Sequence, residues 1–306
     1  MAPRPLISLA PKAAPWRWSL TDPTRGVLLA LVSSALFVLV GALVRVLSEG
    51  IGVFQILLVR QGVFVLLLLP LMWRLGPALF HPRDGLLHGV RIIGAFASLA
   101  LGFLAVSNLP LADATALGFT QVLFVALIAR LWLRELVDLS RMVILGVGFA
   151  GVCLVIQPQF ADPAWRYVLA GLGAALGAAV AATCVRRLAQ RSSRTLLLSY
   201  QAVLVGLVAL GPALAQWRWP TTEQWGLLLL VGGLSALATW LGVSALKHAE
   251  ANLVSNVGYV QILYALVLGY ALFGEVPNAL ALAGVALLLA SVAVPLVAWR
   301  RGKGSR

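Results

Sequence analysis

Acidic residues are scarce in this chain. Its 306 residues hold ten Asp and Glu against 23 Lys and Arg, and charged side chains make up only 11%. A soluble domain carries about 25% charged and about 45–50% apolar residues. Here 61% fall in the set AVILMFWYC, and the mean hydropathy is +0.97. A soluble protein of this size has no way to keep so much apolar surface from water. A soluble enzyme, a secreted scaffold and a disordered chain are excluded. Cysteine is scarce too. Cys153 and Cys184 both lie inside apolar runs, which leaves no disulfide framework and no metal-ligand spacing. The three histidines, His81, His88 and His248, are scattered near segment ends, so no metal site is expected. No HExxH, GxSxG, Walker A or CxxC motif occurs. Gly146, Gly148 and Gly151 follow no strand, so the phosphate-cradle reading of glycine spacing does not apply. No cofactor is expected, and the lack of an ATP site argues against a primary pump.

What the chain does have is long apolar runs. A membrane-spanning helix needs roughly 20 mostly apolar residues. Ten such runs are read at 26–47, 53–73, 86–106, 114–133, 141–157, 167–186, 195–215, 224–246, 254–273 and 280–298. They are continuous rather than alternating, which speaks against a β-barrel. The breaks carry turn residues, as in His81-Pro82-Arg83-Asp84-Gly85 and Gly274-Glu275-Val276-Pro277. The expected fold is an all-α polytopic membrane protein. The net charge of +13 does not indicate nucleic acid, because the basic residues sit between apolar runs. Seventeen Lys and Arg fall on one side of these runs, while Arg45, Arg166 and Arg218 fall on the other. Cationic loops stay in the cytoplasm, so both termini are expected there, in the inner or plasma membrane. Trp73, Trp132 and Trp299 fall at one set of run ends and Trp165, Trp217, Trp219 and Trp225 at the other, as interfacial belts require. Trp16-Arg17-Trp18 reads as an interfacial anchor rather than part of a cleavable signal.

A shift of 140 residues aligns the two halves. It brings Gln61 onto Gln201, Gly102 onto Gly242, Gly118 onto Gly258, Phe119 onto Tyr259, Gln121 onto Gln261 and Glu135 onto Glu275. A one-residue slip brings Arg45 onto Arg186. Each half holds five runs, an odd number, so the halves must enter the membrane in opposite senses. That inverted-repeat plan places a substrate site near the midplane between the repeats. The divisions expected are a cytoplasmic segment 1–25, repeats at 26–158 and 159–298, and a basic tail 299–306.

The segment Leu111–Pro158, with Glu135 closing a span and Gly146, Gly148 and Gly151 in the next, resembles the end of an EamA repeat of the drug/metabolite transporter superfamily. Ala251–Pro295, with Phe273-Gly274-Glu275, resembles a second copy, and Leu57-Leu58-Val59-Arg60-Gln61 resembles the family's second helix. The resemblance covers nearly all of the chain after Arg25. It implies an alternating-access secondary transporter and no enzyme. One departure is visible: the family often has Pro in its fourth and ninth helices, about where Gln121 and Gln261 stand.

Within the runs, Arg60 is the strongest candidate. Its burial costs about 2.5–3.5 kcal/mol, which a substrate carboxylate or phosphate would offset through a bidentate bond. Snorkelling is the competing reading for Arg60, and the favoured one for Arg91 and Arg130. Gln61, Gln121, Gln201 and Gln261 form two repeat-related pairs expected to converge on a central cavity, where an amide both donates and accepts. Tyr200, Trp240, Tyr264 and Asn256 complete the candidate set. Gly173 and Gly177, flanked by Gly171, read as a helix-packing surface. No acid lies near the centre of a run, and Glu135 and Glu275 read as helix-end residues. The partners expected are the bilayer and a small polar or amphipathic metabolite, with amino acids and related anionic or zwitterionic compounds in view. A homodimer is the oligomer to test for. The competing functions are a non-transporting scaffold or receptor and an intramembrane enzyme.

Overall fold

A computed structural model describes residues 22–76, 84–132, 139–157, 165–188, 192–249 and 257–290. Every regular element among the described residues is a helix. In lipid a spanning segment must satisfy its own backbone, and a helix does so without a partner. The order is α1 Asp22–Ser48, α2 Val53–Leu75, α3 Gly85–Asn108, α4 Leu111–Phe119, α5 Gln121–Trp132 and α6 Leu139–Ile156. Then follow α7 Trp165–Leu188, α8 Arg194–Ala215, α9 Thr222–His248, α10 Val260–Phe273 and α11 Ala279–Ala290.

Seven stretches among the described residues are long and apolar enough to cross a membrane: α1 to α3, Leu111–Ile128 through α4 and α5, and α7 to α9. The other three expected runs appear as shorter apolar helices, Gly146–Val155 within α6, α10 and α11. Parts of those runs, at 250–256 and after 290, lie outside the described residues. Glu135, Trp299, Asn256 and the Trp16-Arg17-Trp18 segment do as well. Leu66, Leu67, Leu69, Trp73, Leu207, Leu214, Val267 and Tyr270 face outward. So large an apolar exterior is what a bilayer solvates and water does not, and the chain is a multi-pass membrane protein.

Helix α3 packs along α7, and α1 along α9. Small residues make these contacts close. A Cβ on Gly94 of α3 would lie 2.8 Å from the Gly177 carbonyl oxygen of α7, and one on Gly177 would lie 2.6 Å from that of Gly94. Neither position admits a side chain, so Gly177 has the packing role expected of it. Repeat-related residues make matching contacts. Gly102 of α3 faces Ala174 of α7, and Gly242 of α9 faces Ser33 of α1, whose hydroxyl donates to the Ala238 carbonyl. Two further crossings join the halves, α2 with α8 and α4 with α10. The central core, with Val44, Ile56, Leu57, Val205 and Leu228 fully buried, draws on α1, α2, α8 and α9.

The helix interruptions do not need the family's proline. Between α4 and α5 the Thr120 hydroxyl donates to the Leu117 carbonyl at 2.6 Å, and the Thr120 N–H bonds the same oxygen. That back-bonding takes the carbonyl out of the regular i to i+4 ladder. A matching interruption falls at Tyr259, before α10.

Candidate functional site

The α2–α8 crossing carries the polar side chains. Gly206 of α8 lets the two helices approach: a Cβ there would sit 3.4 Å from Gln61 Cβ. Gln61 Nε2 donates to the backbone carbonyl of Gln201 at 3.2 Å. Arg60 NH1 donates to Gln61 Oε1 at 2.9 Å, and Arg60 Nε to the Ser235 hydroxyl of α9 at 3.0 Å. The Arg60 guanidinium lies over the rings of Phe64 and Phe103, at 5.0 and 6.0 Å. Arg60 is 7% exposed and Gln61 2%. Arg60 therefore does not snorkel; it is held inward by an amide, a hydroxyl and two aromatic faces.

Arg91 departs from its expectation. Its distance from the helix end favours snorkelling, yet it is 2% exposed. Its NH1 donates to the Leu197 carbonyl at 3.0 Å and its NH2 to Gln201 Oε1 at 2.9 Å. The reason is that α8 packs over this part of α3 and offers acceptors at the depth where the guanidinium emerges. The one sequence sign was the line of Gln201 with Gln61, since the amide that Arg91 reaches belongs to that pair. A continuous chain results: Ser235, Arg60, Gln61, Gln201, Arg91. Every acceptor in it is neutral. Among the described residues no carboxylate is paired with either guanidinium.

The other candidates are distributed more widely. Tyr200 stands edge-on to His88, with centroids 5.0 Å apart. Tyr264 is half-buried against the central core. Gln261 Nε2 reaches the Ser34 hydroxyl of α1 at 3.5 Å, while Gln121 is half-buried on α5. Phe119 and Tyr259 stack instead, with centroids 4.7 Å apart and 20° between planes. Trp240 is 65% exposed on α9. Asn256 and the Arg130 side chain lie outside the described residues.

A second polar cluster ties three elements together at the end of α10. Glu275 accepts from Arg45 of α1, and its Oε2 accepts the Leu111 N–H of α4 at 2.9 Å. Arg45 also lies over the Phe273 ring at 4.2 Å. The carboxylate sits at the N-terminus of α4, where the helix dipole favours negative charge.

The fold and these residues define a helical membrane protein with buried cationic groups between its two halves. The family model for the EamA-like transporter family matches residues 24–157 and 165–297, and the chain belongs to that family in a two-repeat arrangement. It is 31% identical to the pseudopaline exporter CntI of Pseudomonas aeruginosa over 86% of this chain and 93% of that protein. It is 28% identical to a riboflavin transporter of Vibrio cholerae, over 93% and 96%. It is 24% identical to an S-adenosylmethionine uptake transporter of Rickettsia bellii, over 86% and 89%. A solved crystal structure matches with a TM-score of 0.63 at 16% identity, covering 92% of this chain and 98% of the other, and so shares the fold.

Proposed function

We propose that the chain is a permease of the inner or plasma membrane that moves a small anionic or zwitterionic metabolite by alternating access. Ten helices form two inverted five-helix repeats, 26–158 and 159–298, with both termini cytoplasmic. The matched contacts of Gly102 with Ala174 and Gly242 with Ser33 support a two-fold relation between repeats. The odd helix number per repeat makes that relation an inversion. Relatives named for export and for uptake both occur, as expected of carriers that run with their gradient.

The observation that carries the reading is Arg60. It is buried and cationic, and it is held by neutral acceptors alone. An unpaired buried charge is costly, and an anionic group on the substrate offsets that cost. Gln61 orients the guanidinium, and the rings of Phe64 and Phe103 keep water from its faces. Rocking of the repeats about the α2–α8 crossing then opens the site to either side.

The test is transport and binding by the purified protein. Reconstituted vesicles are assayed for counterflow of labelled metabolites in anionic, zwitterionic and cationic sets, and thermal shift measures binding. Arg60-dependent counterflow of an anion or zwitterion supports the reading. Counterflow of cations alone, or of any substrate indifferent to Arg60→Gln, removes Arg60 from the site. Consumption of substrate without a membrane gradient would favour an enzyme, and wild-type cellular activity in Arg60→Leu a scaffold or receptor.

A further inference from the structure

The second buried guanidinium has a consequence for the substrate. Arg91 is buried as Arg60 is, and it too is held only by neutral acceptors. A guanidinium has five N–H donors. Arg60 spends two of them on Ser235 and Gln61, and Arg91 two on the Leu197 carbonyl and Gln201, so three remain on each. Among the described residues, the buried side-chain nitrogens and oxygens that lack a hydrogen bond are Nδ1 and Nε2 of His88, Nε of Arg91 and Oγ of Ser199. His88 lies one turn from Arg91 on the same face of α3. Ser199 is two residues from both Leu197 and Gln201, so its side chain lies on the other side of α8 from the Arg91 contacts. It shares a face with Gly206, which meets Gln61. Buried polar groups in folded proteins have partners, so the Arg91 Nε and the two ring nitrogens of His88 are hydrogen-bonding groups open to a ligand.

We propose that the substrate carries two anionic groups, one bound at Arg60 and the other at Arg91, with His88 serving the second. The proposal rests on the permease reading above and narrows its substrate class to dianions. The Gln61–Gln201 contact sets the separation between the two points. A monoanion meets one guanidinium and leaves the other uncompensated, so the second charge is recognised through the cost of its absence.

The experiment compares ligands that differ by one charge at constant length. Dicarboxylates from succinate to suberate are each paired with their own monoamide. Binding to the purified full chain is read by thermal shift and by equilibrium titration. At the best-fitting length the dicarboxylate should bind at least about tenfold more tightly than its monoamide, as the loss of a charge-assisted hydrogen bond implies. Arg91→Gln should abolish that preference, and Arg91→Lys should retain one. Arg60→Gln should weaken both ligands. The melting temperature of each ligand-free variant shows that it folds. Equal binding of diacid and monoamide, a preference that survives Arg91→Gln, or no binding by any diacid overturns the proposal. If monoamides still bind in an Arg60-dependent way, only the two-point inference falls. If neither set binds and cations stabilise the protein regardless of Arg60, the anion-permease reading falls with it.

Discussion

The α2–α8 and α4–α10 crossings both bring repeat-related residues into contact, yet they are furnished in opposite ways. At α2–α8 the related residues Gln61 and Gln201 bond to each other and hold two guanidinium groups. At α4–α10 the related residues in contact are the rings of Phe119 and Tyr259. The glutamines two positions on do not meet: Gln261 turns to Ser34 of α1. Sequence symmetry predicts that both pairs converge, but only Gln61 and Gln201 meet, through the Gln61 amide and the Gln201 backbone carbonyl. The difference lies in what surrounds each crossing. Arg60 and Arg91 supply donors that fix the amides of α2 and α8, whereas at the end of α4 and the start of α10 the facing residues are two stacked rings. One crossing is built for charge and the other for sliding or packing.

The largest effect expected from this contrast is on binding at α2–α8. Arg60→Leu removes a charged hydrogen-bonding group, worth about 1.5–3 kcal/mol, or roughly ten- to a hundredfold in affinity. Ligand-free stability should hold or rise, because a buried charge without a carboxylate partner is removed. Titration of the anionic set against wild type and variant, with melting curves alongside, measures both quantities. Full affinity in Arg60→Leu would place the substrate elsewhere.

Gln201→Leu should act on stability more than Arg60→Leu does. It strips Arg91 of its side-chain acceptor and leaves the guanidinium with the Leu197 carbonyl alone. Orphaning a buried donor costs about 1–3 kcal/mol. Chemical or thermal unfolding in detergent should detect it, and the double variant with Arg91→Leu should recover part of the loss, since both partners are then apolar. Absence of coupling between the two substitutions would show that the bond contributes nothing.

Much of this organisation was legible in the sequence, for reasons that can be named. Helices follow from long apolar runs, since lipid permits little else. The α2–α8 site was legible because Arg and Gln are rare in apolar runs and recur at a fixed shift. The inward turn of Arg91 was not. Distance from a helix end says how far a side chain must reach for the interface, but not whether a neighbouring helix offers acceptors first. Leu197 supplies a backbone carbonyl, which no residue type advertises. The pairing of Arg45 with Glu275 spans 230 residues and depends on how α1 meets the end of α10. Sequence reading reached Glu275 only as a helix-end residue. The role of Gly177 was readable as close packing, but its partner Gly94 was not, because Gly94 has no glycine four residues away on either side in α3.

A smaller effect is expected from the aromatic crossing. An aromatic pair contributes about 0.5–1.5 kcal/mol beyond its buried area. Phe119→Leu and Tyr259→Leu should each lower stability by about that much, and a double-mutant cycle should show coupling between them. Anion affinity should remain within about twofold. A tenfold loss of affinity in either variant would mean that the rings touch substrate, and the contrast between the crossings would disappear.

The smallest effect is expected from Gln121→Ala and Gln261→Ala. From symmetry alone, both should impair substrate binding while leaving insertion intact. The geometry separates them. Gln261 has a long 3.5 Å contact with Ser34, which an alanine forfeits. Interhelical hydrogen bonds in membrane proteins average about 0.6 kcal/mol, so Gln261→Ala should cost about that in stability, and Gln121→Ala less. Neither should shift anion binding as Arg60→Leu does. Because the two positions are repeat-equivalent, measuring both variants in one assay cancels effects of helix propensity and lipid exposure. A shared and large loss of binding would restore the symmetric cavity and extend the site from α2–α8 to α4–α10. Unequal small losses would confine it to the crossing that holds the guanidinium groups.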